Sequence, residues 1–231
     1  PEAYLIDAIR TPVGRRRGGL AQVHPADLGA HVLQALMRRC DVPDEAIDDV
    51  VFGCVDTIGP QAGDIARTCW LAAGFHESVP GVTIDRQCGS SQQALHFAAQ
   101  GVMSGTQDLV IAGGVQNMSM IPIGSSILAA KELGHKDPFR GSSGWLKRYG
   151  DQEVNQFYGA EKMAKRWGCT REDMEAFAWQ SHQRAINAQD EGRFDEEISP
   201  LLGVTQDEGP RRDSTLEKMA ELSVLMPEGR L

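Results

Sequence analysis

The sequence lacks an apolar run long enough to cross a membrane: the longest, residues 109–115, falls far short of the roughly 20 residues that a span needs. It also lacks a basic excess, because 23 Lys and Arg against 32 Asp and Glu leave a net charge of −9. That balance disfavours nucleic acids and anionic membranes as partners. The first residues show no basic stretch followed by an apolar one, so we expect no export signal.

Cysteine pairs at metal-binding spacing are missing too. The five cysteines are widely separated, with no CxxC pair and no Cys/His spacing suited to zinc. We therefore expect no metal site and a reduced, cytoplasmic location. We interpret three of them as packing residues: Cys40, Cys54 and Cys69.

Strand and helix patterns alternate along the first half of the chain, which indicates an α/β fold. Apolar and β-branched runs predict strands at residues 4–9, 49–55, 79–84 and 108–112. Helical spacing predicts helices between them, one opened by Pro25 and one running over residues 89–104.

The pattern changes after Ser119. Residues 120–155 are rich in glycine and proline and show no clear periodicity, which is typical of a functional or flexible segment. Two helices are predicted to follow, the second starting at Thr170 with Asp173 three residues later. Phe157, Trp167 and Phe177 lie on their apolar stripes, and we expect these aromatic side chains in a core.

Cys88 occupies the tight turn between a predicted strand and a predicted helix. Unpaired N–H groups and the positive end of the helix dipole meet at such a point and favour a thiolate, the nucleophilic form of cysteine. By position alone, a small buried packing residue is the more common interpretation.

A sequence resemblance favours the interpretation of Cys88 as a nucleophile over that of a packing residue. The run DRQCGSSQQA at residues 85–94 resembles the nucleophile segment of the thiolases. The runs AIRTPVG at 8–14, IDDVVFGCV at 47–55 and IAGGVQNMS at 111–119 are similar to further family segments in register, as are AEKMA, TRED and GRF between residues 160 and 194.

The resemblance implies a thiolase-like layered αβαβα fold, of which this chain carries the first half and an inserted, mainly helical loop domain. We expect the α/β half at residues 1–118 and the loop domain, which covers coenzyme A, at 119–231. The family's second half, with its catalytic histidine and second cysteine, is expected to be absent. Since none of the six histidines carries over to the missing one, we expect this span to be inactive by itself.

The implied function is that of an acyl-CoA:CoA C-acyltransferase, which cleaves 3-ketoacyl-CoA or condenses acetyl-CoA units through an acyl group on Cys88. Two alternatives stay open at this point: a condensing synthase of the same superfamily, and a non-catalytic thiolase-like protein that binds acyl-CoA. Coenzyme A enters as a substrate, and no further cofactor is implied.

Arg211 stands where the family carries an arginine that contacts the nucleotide end of coenzyme A. Arg212 beside it is the alternative. The run of Gln92, Gln93 and Ala94 resembles a bacterial subgroup that includes thiolases acting on steroid-derived acyl-CoAs, as part of fatty acid or steroid degradation. The family also implies a homodimer or homotetramer.

Overall fold

Three strands, eight α-helices and two short 3₁₀ helices, Asp44–Ala46 and Gly59–Gln61, make up the regular structure of residues 2–227 and 229–231, which the computed structural model describes. The strands are β1 (Asp49–Gly53), β2 (Gly81–Ile84) and β3 (Val110–Gly114). The helices are α1 (Pro25–Cys40), α2 (Ile65–Ala72), α3 (Ser90–Ser104), α4 (Ser125–Glu132), α5 (Ser143–Tyr149), α6 (Gln156–Trp167), α7 (Arg171–Asp190) and α8 (Leu216–Ala220). The alternation of strands and helices up to β3 confirms the α/β fold class.

The chain divides into two compact units. The sheet unit comprises the chain up to Leu133 together with Glu196–Glu208, and the helical unit comprises Gly134–Asp195 with Gly209–Leu231. The segment 196–208 therefore returns to the sheet unit. A functional division at residues 118–119 remains a prediction, because packing alone divides the chain elsewhere.

The three strands form one parallel sheet in the order β2-β1-β3. In register, Val51 of β1 lies between Val82 of β2 and Ala112 of β3. Because all three strands run the same way, their carboxyl ends meet at one edge of the sheet. Ligands of open α/β sheets bind outside that edge.

Helices cover both faces of the sheet because side chains alternate along β1. Val50 and Phe52 belong to a core with Leu33 of α1 and Trp70 of α2. Val51 and Gly53 point to the opposite face, where α3 packs on all three strands. This sandwich places the start of α3 over the carboxyl edge.

Local signals set the ends of the predicted helices. Pro25 occupies the first turn of α1, and His24 caps it by accepting a hydrogen bond from Ala26 N at 3.2 Å. Thr170 and Asp173 form the predicted capping box at the start of α7. Such reciprocal bonds satisfy N–H groups that would otherwise be unpaired.

The prediction of a first strand at residues 4–9 is wrong, because this segment does not pair with the sheet. The segment carries no strand assignment, and only Arg10 forms an isolated bridge, with Ile198. A cavity of about 400 Å³ is lined by this segment on one side and by β3 on another. A strand needs a hydrogen-bonded neighbour, and without one Tyr4, Leu5 and Ile6 stay exposed.

The glycine-rich stretch after Ser119 contains two helices that the sequence pattern did not predict, α4 and α5. Asp56, which is buried, accepts hydrogen bonds from Gly124 N at 2.8 Å and Ser126 N at 2.9 Å. A distant carboxylate thus holds the start of α4. Contacts of this kind leave no local periodicity in the sequence.

The expectation that the aromatic stripes of α6 and α7 form a core is wrong. Trp167 is 63% exposed and Phe177 is 73% exposed, and Phe157 is exposed as well. Met174 and Ala178 line a cavity in the helical unit instead of a packed interior. Amphipathic spacing marks a face of a helix but does not supply the surface that covers it.

The returning segment is tied to the start of the chain by Arg10. Its guanidinium bonds Glu197 at 2.6 Å and Asp207 at 2.6 and 3.1 Å, and Asp207 also accepts from Val13 N at 2.7 Å. Burial by itself would raise the pKa of Asp207, but the bonds from Arg10 and Val13 outweigh it and lower that pKa. Their stabilisation is therefore present at neutral pH and is lost as the pH falls through that lowered pKa.

Candidate active site

Cys88 lies in the turn between β2 and α3, next to Gly89, the residue that precedes the first turn of α3. It is exposed, whereas Cys54 and Cys69 are buried and Cys40 and Cys169 are partly buried. This placement confirms the predicted strand–turn–helix setting. It also sets Cys88 at the carboxyl edge of the sheet.

The two buried thiols differ from Cys88 in their chemistry. Burial raises the pKa of Cys54 to about 11, with smaller contributions from Asp85 and Asp56. Burial likewise raises the pKa of Cys69 to about 12. Both thiols stay protonated near neutral pH, which fits their predicted role as packing residues.

The turn that presents Cys88 has an uncommon backbone conformation. Gln87 has φ of 48°, in the left-handed region that residues other than glycine rarely adopt. Asp85 Oδ1 accepts a hydrogen bond from Gln87 N at 2.8 Å. The hydroxyl of Ser90 accepts from Arg86 N at 3.0 Å and donates to Gln87 O at 2.7 Å.

Two glycines allow the start of α3 to sit directly on the sheet. A Cβ added at Gly53 of β1 would lie 2.3 Å from Ser91 N and 2.4 Å from the carbonyl carbon of Ser90. One added at Gly114 of β3 would lie 2.7 Å from the carbonyl oxygen of Gly53 and 3.0 Å from Ser91 Cβ. The role of these two glycines was not predicted from the sequence, although glycine in a strand is a signal of close backbone approach.

Polar side chains beyond β1 and β3 form a bonded network at the same edge. Gln116 Oε1 accepts from Val55 N at 2.9 Å, and the Cys54 thiol lies 3.6 Å from that oxygen. Gln61, fully buried, accepts from Asn117 N at 2.9 Å. These contacts fix the loops around the turn of Cys88.

Three histidines of the sheet unit form hydrogen bonds with groups other than Cys88. His24 caps α1, His31 Nε2 lies 2.8 Å from Ser199 Oγ, and His76 Nδ1 lies 2.7 Å from Ser78 Oγ. His96 follows Cys88 by eight residues and lies about 12 Å along the helix axis at the usual rise per residue. Among the described residues, no histidine forms a hydrogen bond to Cys88.

Arg211 belongs to the helical unit, so its surroundings are described separately from those of Cys88. It lines a cavity of about 520 Å³ whose walls include Arg171, His182 and Lys218. Its backbone N–H donates to His182 Nδ1 at 3.2 Å. His182 is a cavity residue that no motif in the sequence indicated.

The guanidinium of Arg211 makes no ion pair with any residue in the described part of the chain. That of Arg212 does: it bonds both carboxylate oxygens of Asp190, at 2.6 and 3.0 Å. The two neighbouring arginines therefore differ, since Arg211 lines the cavity without an ion pair while Asp190 holds the guanidinium of Arg212.

Within residues 2–227 and 229–231, no group of three or more His, Cys, Asp or Glu side chains is arranged to hold a metal ion. None of the described helices combines the length and the apolar character that crossing a membrane requires.

The comparisons with known proteins agree with the motifs. The family described as Thiolase, N-terminal domain, matches residues 3–230. A steroid 3-ketoacyl-CoA thiolase (FadA6) of Mycobacterium tuberculosis is 54% identical over 100% of this chain and 57% of its own length. A beta-ketoadipyl-CoA thiolase of Acinetobacter baylyi is 38% identical over 98% of this chain and 61% of its own.

A more distant relative gives the same picture: a 3-ketoacyl-CoA thiolase of Bacillus subtilis is 34% identical over 96% of this chain and 58% of its own length. The chain thus spans somewhat more than half the length of the relatives it matches. Because the family match covers nearly every residue, the chain belongs to the thiolase family and corresponds to its N-terminal domain.

Proposed function

We propose that this chain supplies the nucleophile of a thiolase, with Cys88 carrying the acyl group. The observation that carries the proposal is the exposure of Cys88 in a braced turn at the carboxyl edge of the sheet, inside a segment that resembles the family's nucleophile. The buried thiols of Cys54 and Cys69 have no comparable access to a substrate.

In the proposed reaction, the Cys88 thiolate attacks the 3-keto carbon of a 3-ketoacyl-CoA. The bond between C2 and C3 breaks, and its electron pair stays with the acetyl-CoA fragment, which then takes up a proton. The shortened acyl group remains as a thioester on Cys88 until the thiolate of a second coenzyme A removes it. The reverse sequence is the condensation of acetyl-CoA units.

This chemistry needs an acid and a base beside the nucleophile. Among the described residues no side chain hydrogen-bonds to the Cys88 thiol, so we assign these groups to the part of the relatives' length that this chain does not span. It follows that the span of residues 1–231 should not turn over by itself.

The cavity of the helical unit is the proposed site for the nucleotide end of coenzyme A, and residues 119–231 the proposed covering segment. Arg211 is suited to that ligand, because a planar guanidinium can stack on adenine and donate hydrogen bonds to phosphate. Arg171 and Lys218 line the same walls but are paired there with Glu175 at 2.6 Å and Asp213 at 3.4 Å. Coenzyme A acts as substrate in this scheme, and the scheme uses no other cofactor.

A steroid-derived 3-ketoacyl-CoA is the proposed substrate class. The 54% identity to a protein named as a steroid 3-ketoacyl-CoA thiolase supports it. So do Gln92 and Gln93 in the first turn of α3, because their run resembles a bacterial subgroup that includes such thiolases.

The proposed assembly is a homodimer or homotetramer, and the proposed location is the cytoplasm. Exposed apolar side chains in the sheet unit, such as Tyr4, Leu5 and Ile6, support burial against further protein. Five cysteines without a disulfide support a reducing compartment.

Acyl-adduct mapping tests the assignment of Cys88. We expect the full-length protein, incubated near pH 7.5 with a short-chain acyl-CoA, to carry its thioester on Cys88. Cys54 and Cys69 should stay unmodified, because burial raises the pKa of these thiols to about 11 and about 12. Peptide mass spectrometry locates the adduct. Acylation chiefly at another cysteine, or coenzyme A binding without any adduct, would contradict the proposal.

Arginine substitution tests the nucleotide site. We expect Arg211→Ala to weaken coenzyme A binding by about 1–2 kcal/mol, the size of a lost charge-assisted hydrogen bond. KM should rise while kcat changes little, because a contact to the nucleotide end binds the ground state and the transition state alike. Arg212→Ala is the matched control, since Asp190 already pairs with that side chain. Isothermal titration calorimetry on the full-length protein measures both. Equal losses from the two variants would remove Arg211 from the site.

A further inference from the structure

The turn before α3 holds Gln87 in the left-handed region, which a glutamine rarely adopts unless neighbouring contacts stabilise it. A non-glycine residue in the left-handed region is strained and persists only where neighbouring contacts impose it. Because Gln87 is exposed, the hydrogen bonds of the turn are the contacts that can impose this conformation.

Two backbone bonds close the turn, from Gly89 N to Arg86 O at 3.1 Å and from Ser90 N to Gln87 O at 3.3 Å. The Ser90 side chain adds two more from one atom. Its hydroxyl accepts from Arg86 N, on one side of Gln87, and donates to Gln87 O, on the other. Ser90 is only 6% exposed, so water does not compete effectively for these bonds. Asp85 accepts a hydrogen bond from the N–H of Gln87 itself.

Ser90 is itself held against the sheet. Its backbone lies so close to Gly53 that a Cβ there would meet the Ser90 carbonyl carbon at 2.4 Å. The hydroxyl therefore connects the rigid edge of the sheet to the backbone immediately before Cys88. Moving this hydroxyl would move the nucleophile.

We propose that Ser90 is a positioning residue, which holds Gln87 in the left-handed conformation and thereby sets the direction in which the Cys88 sulfur faces its substrate. The inference rests on the proposed role of Cys88 as acyl carrier. Ser90 touches neither the substrate nor the sulfur in this scheme and acts only through the backbone of the turn.

The test compares variants of the full-length enzyme. Ser90→Ala should lower kcat by about 10–100-fold, the loss expected from a nucleophile displaced by about 1 Å, while KM changes much less. Ser91→Ala is the matched control: it removes a neighbouring hydroxyl on the same helix turn, for which no hydrogen bond occurs within the described residues, and should keep kcat within about twofold.

A rescue variant separates positioning from general stability. Gln87→Gly places the residue that tolerates the left-handed region at the strained position. If Ser90 acts by holding Gln87, the double variant Gln87→Gly with Ser90→Ala should recover at least half of the lost kcat on a logarithmic scale. A double variant no faster than Ser90→Ala would overturn the proposal.

Two further readouts complete the test. The fraction of chains acylated at Cys88 should stay at the wild-type level in Ser90→Ala while the rate of acylation falls. A fraction that falls in parallel with activity would show a folding defect and overturn the positioning role. The rate at which iodoacetamide alkylates Cys88 should also differ between Ser90→Ala and the wild type. This reaction needs no coenzyme A. Failure of the wild-type protein to form any acyl adduct would refute the proposed function alone.

Discussion

Replacing Cys88 by serine in the full-length enzyme should lower kcat for thiolysis by about 10³-fold or more. A serine hydroxyl stays protonated at neutral pH and is a far weaker nucleophile than a thiolate, and losing the covalent step removes the whole reaction path. Coenzyme A binding should persist, because the proposed nucleotide site lies in the helical unit. Steady-state kinetics and calorimetry together measure the two effects.

The control for this prediction is Cys169→Ser, since Cys169 is partly buried and lies outside the sheet unit. Its kcat should stay within about twofold of the wild-type value, as expected for a substitution away from the reacting atoms. Substantial thiolysis by the Cys88→Ser protein would mean that another residue carries the acyl group.

Gly53→Ala is expected to have the second-largest effect. The added Cβ would lie 2.3 Å from Ser91 N and 2.4 Å from the Ser90 carbonyl carbon, and backbone atoms cannot move aside as a flexible side chain can. Forcing α3 off the sheet should cost about 3 kcal/mol of stability, as overpacking of a tight interior does. The same shift would displace Cys88 and lower the kcat of the molecules that remain folded.

Gly159→Ala is the matched control for that glycine. It lies inside α6, and a Cβ there meets nothing within 4 Å. Alanine is favoured over glycine in a helix interior by roughly 0.5–1 kcal/mol, so this variant should be unchanged or slightly more stable. Chemical denaturation measures both variants. Equal stability of Gly53→Ala and the wild type would contradict the close approach of α3 to β1.

Much of the architecture could be predicted because its signals are local. Pro25 at the start of α1 and the Thr170 and Asp173 pair at the start of α7 act within a single helical turn. The strand, turn and helix around Cys88 have the predicted order, and the family match over residues 3–230 confirms the resemblance.

The site was only partly predictable. The motif identified Cys88, but not the bond pair of Ser90 around Gln87 or the approach of Gly53 to α3. The residues that make these contacts are distant in the chain or are joined through backbone atoms. The sequence gives the side chains but does not show which backbone groups the Ser90 hydroxyl will bond.

Sequence alone determined what depends on neighbours along the chain: helix ends, strand character and a cysteine placed where a helix starts, because caps and dihedral preferences act over a few residues. Features that depend on a partner elsewhere in the fold, namely strand pairing, burial and ion pairs, followed only from the folded structure. It left residues 4–9 without a ladder and Phe177 exposed, and it paired Arg212 with Asp190 while Arg211 faces a cavity. Burial and ion pairing are properties of two surfaces brought together, and one stretch of sequence describes only one of them.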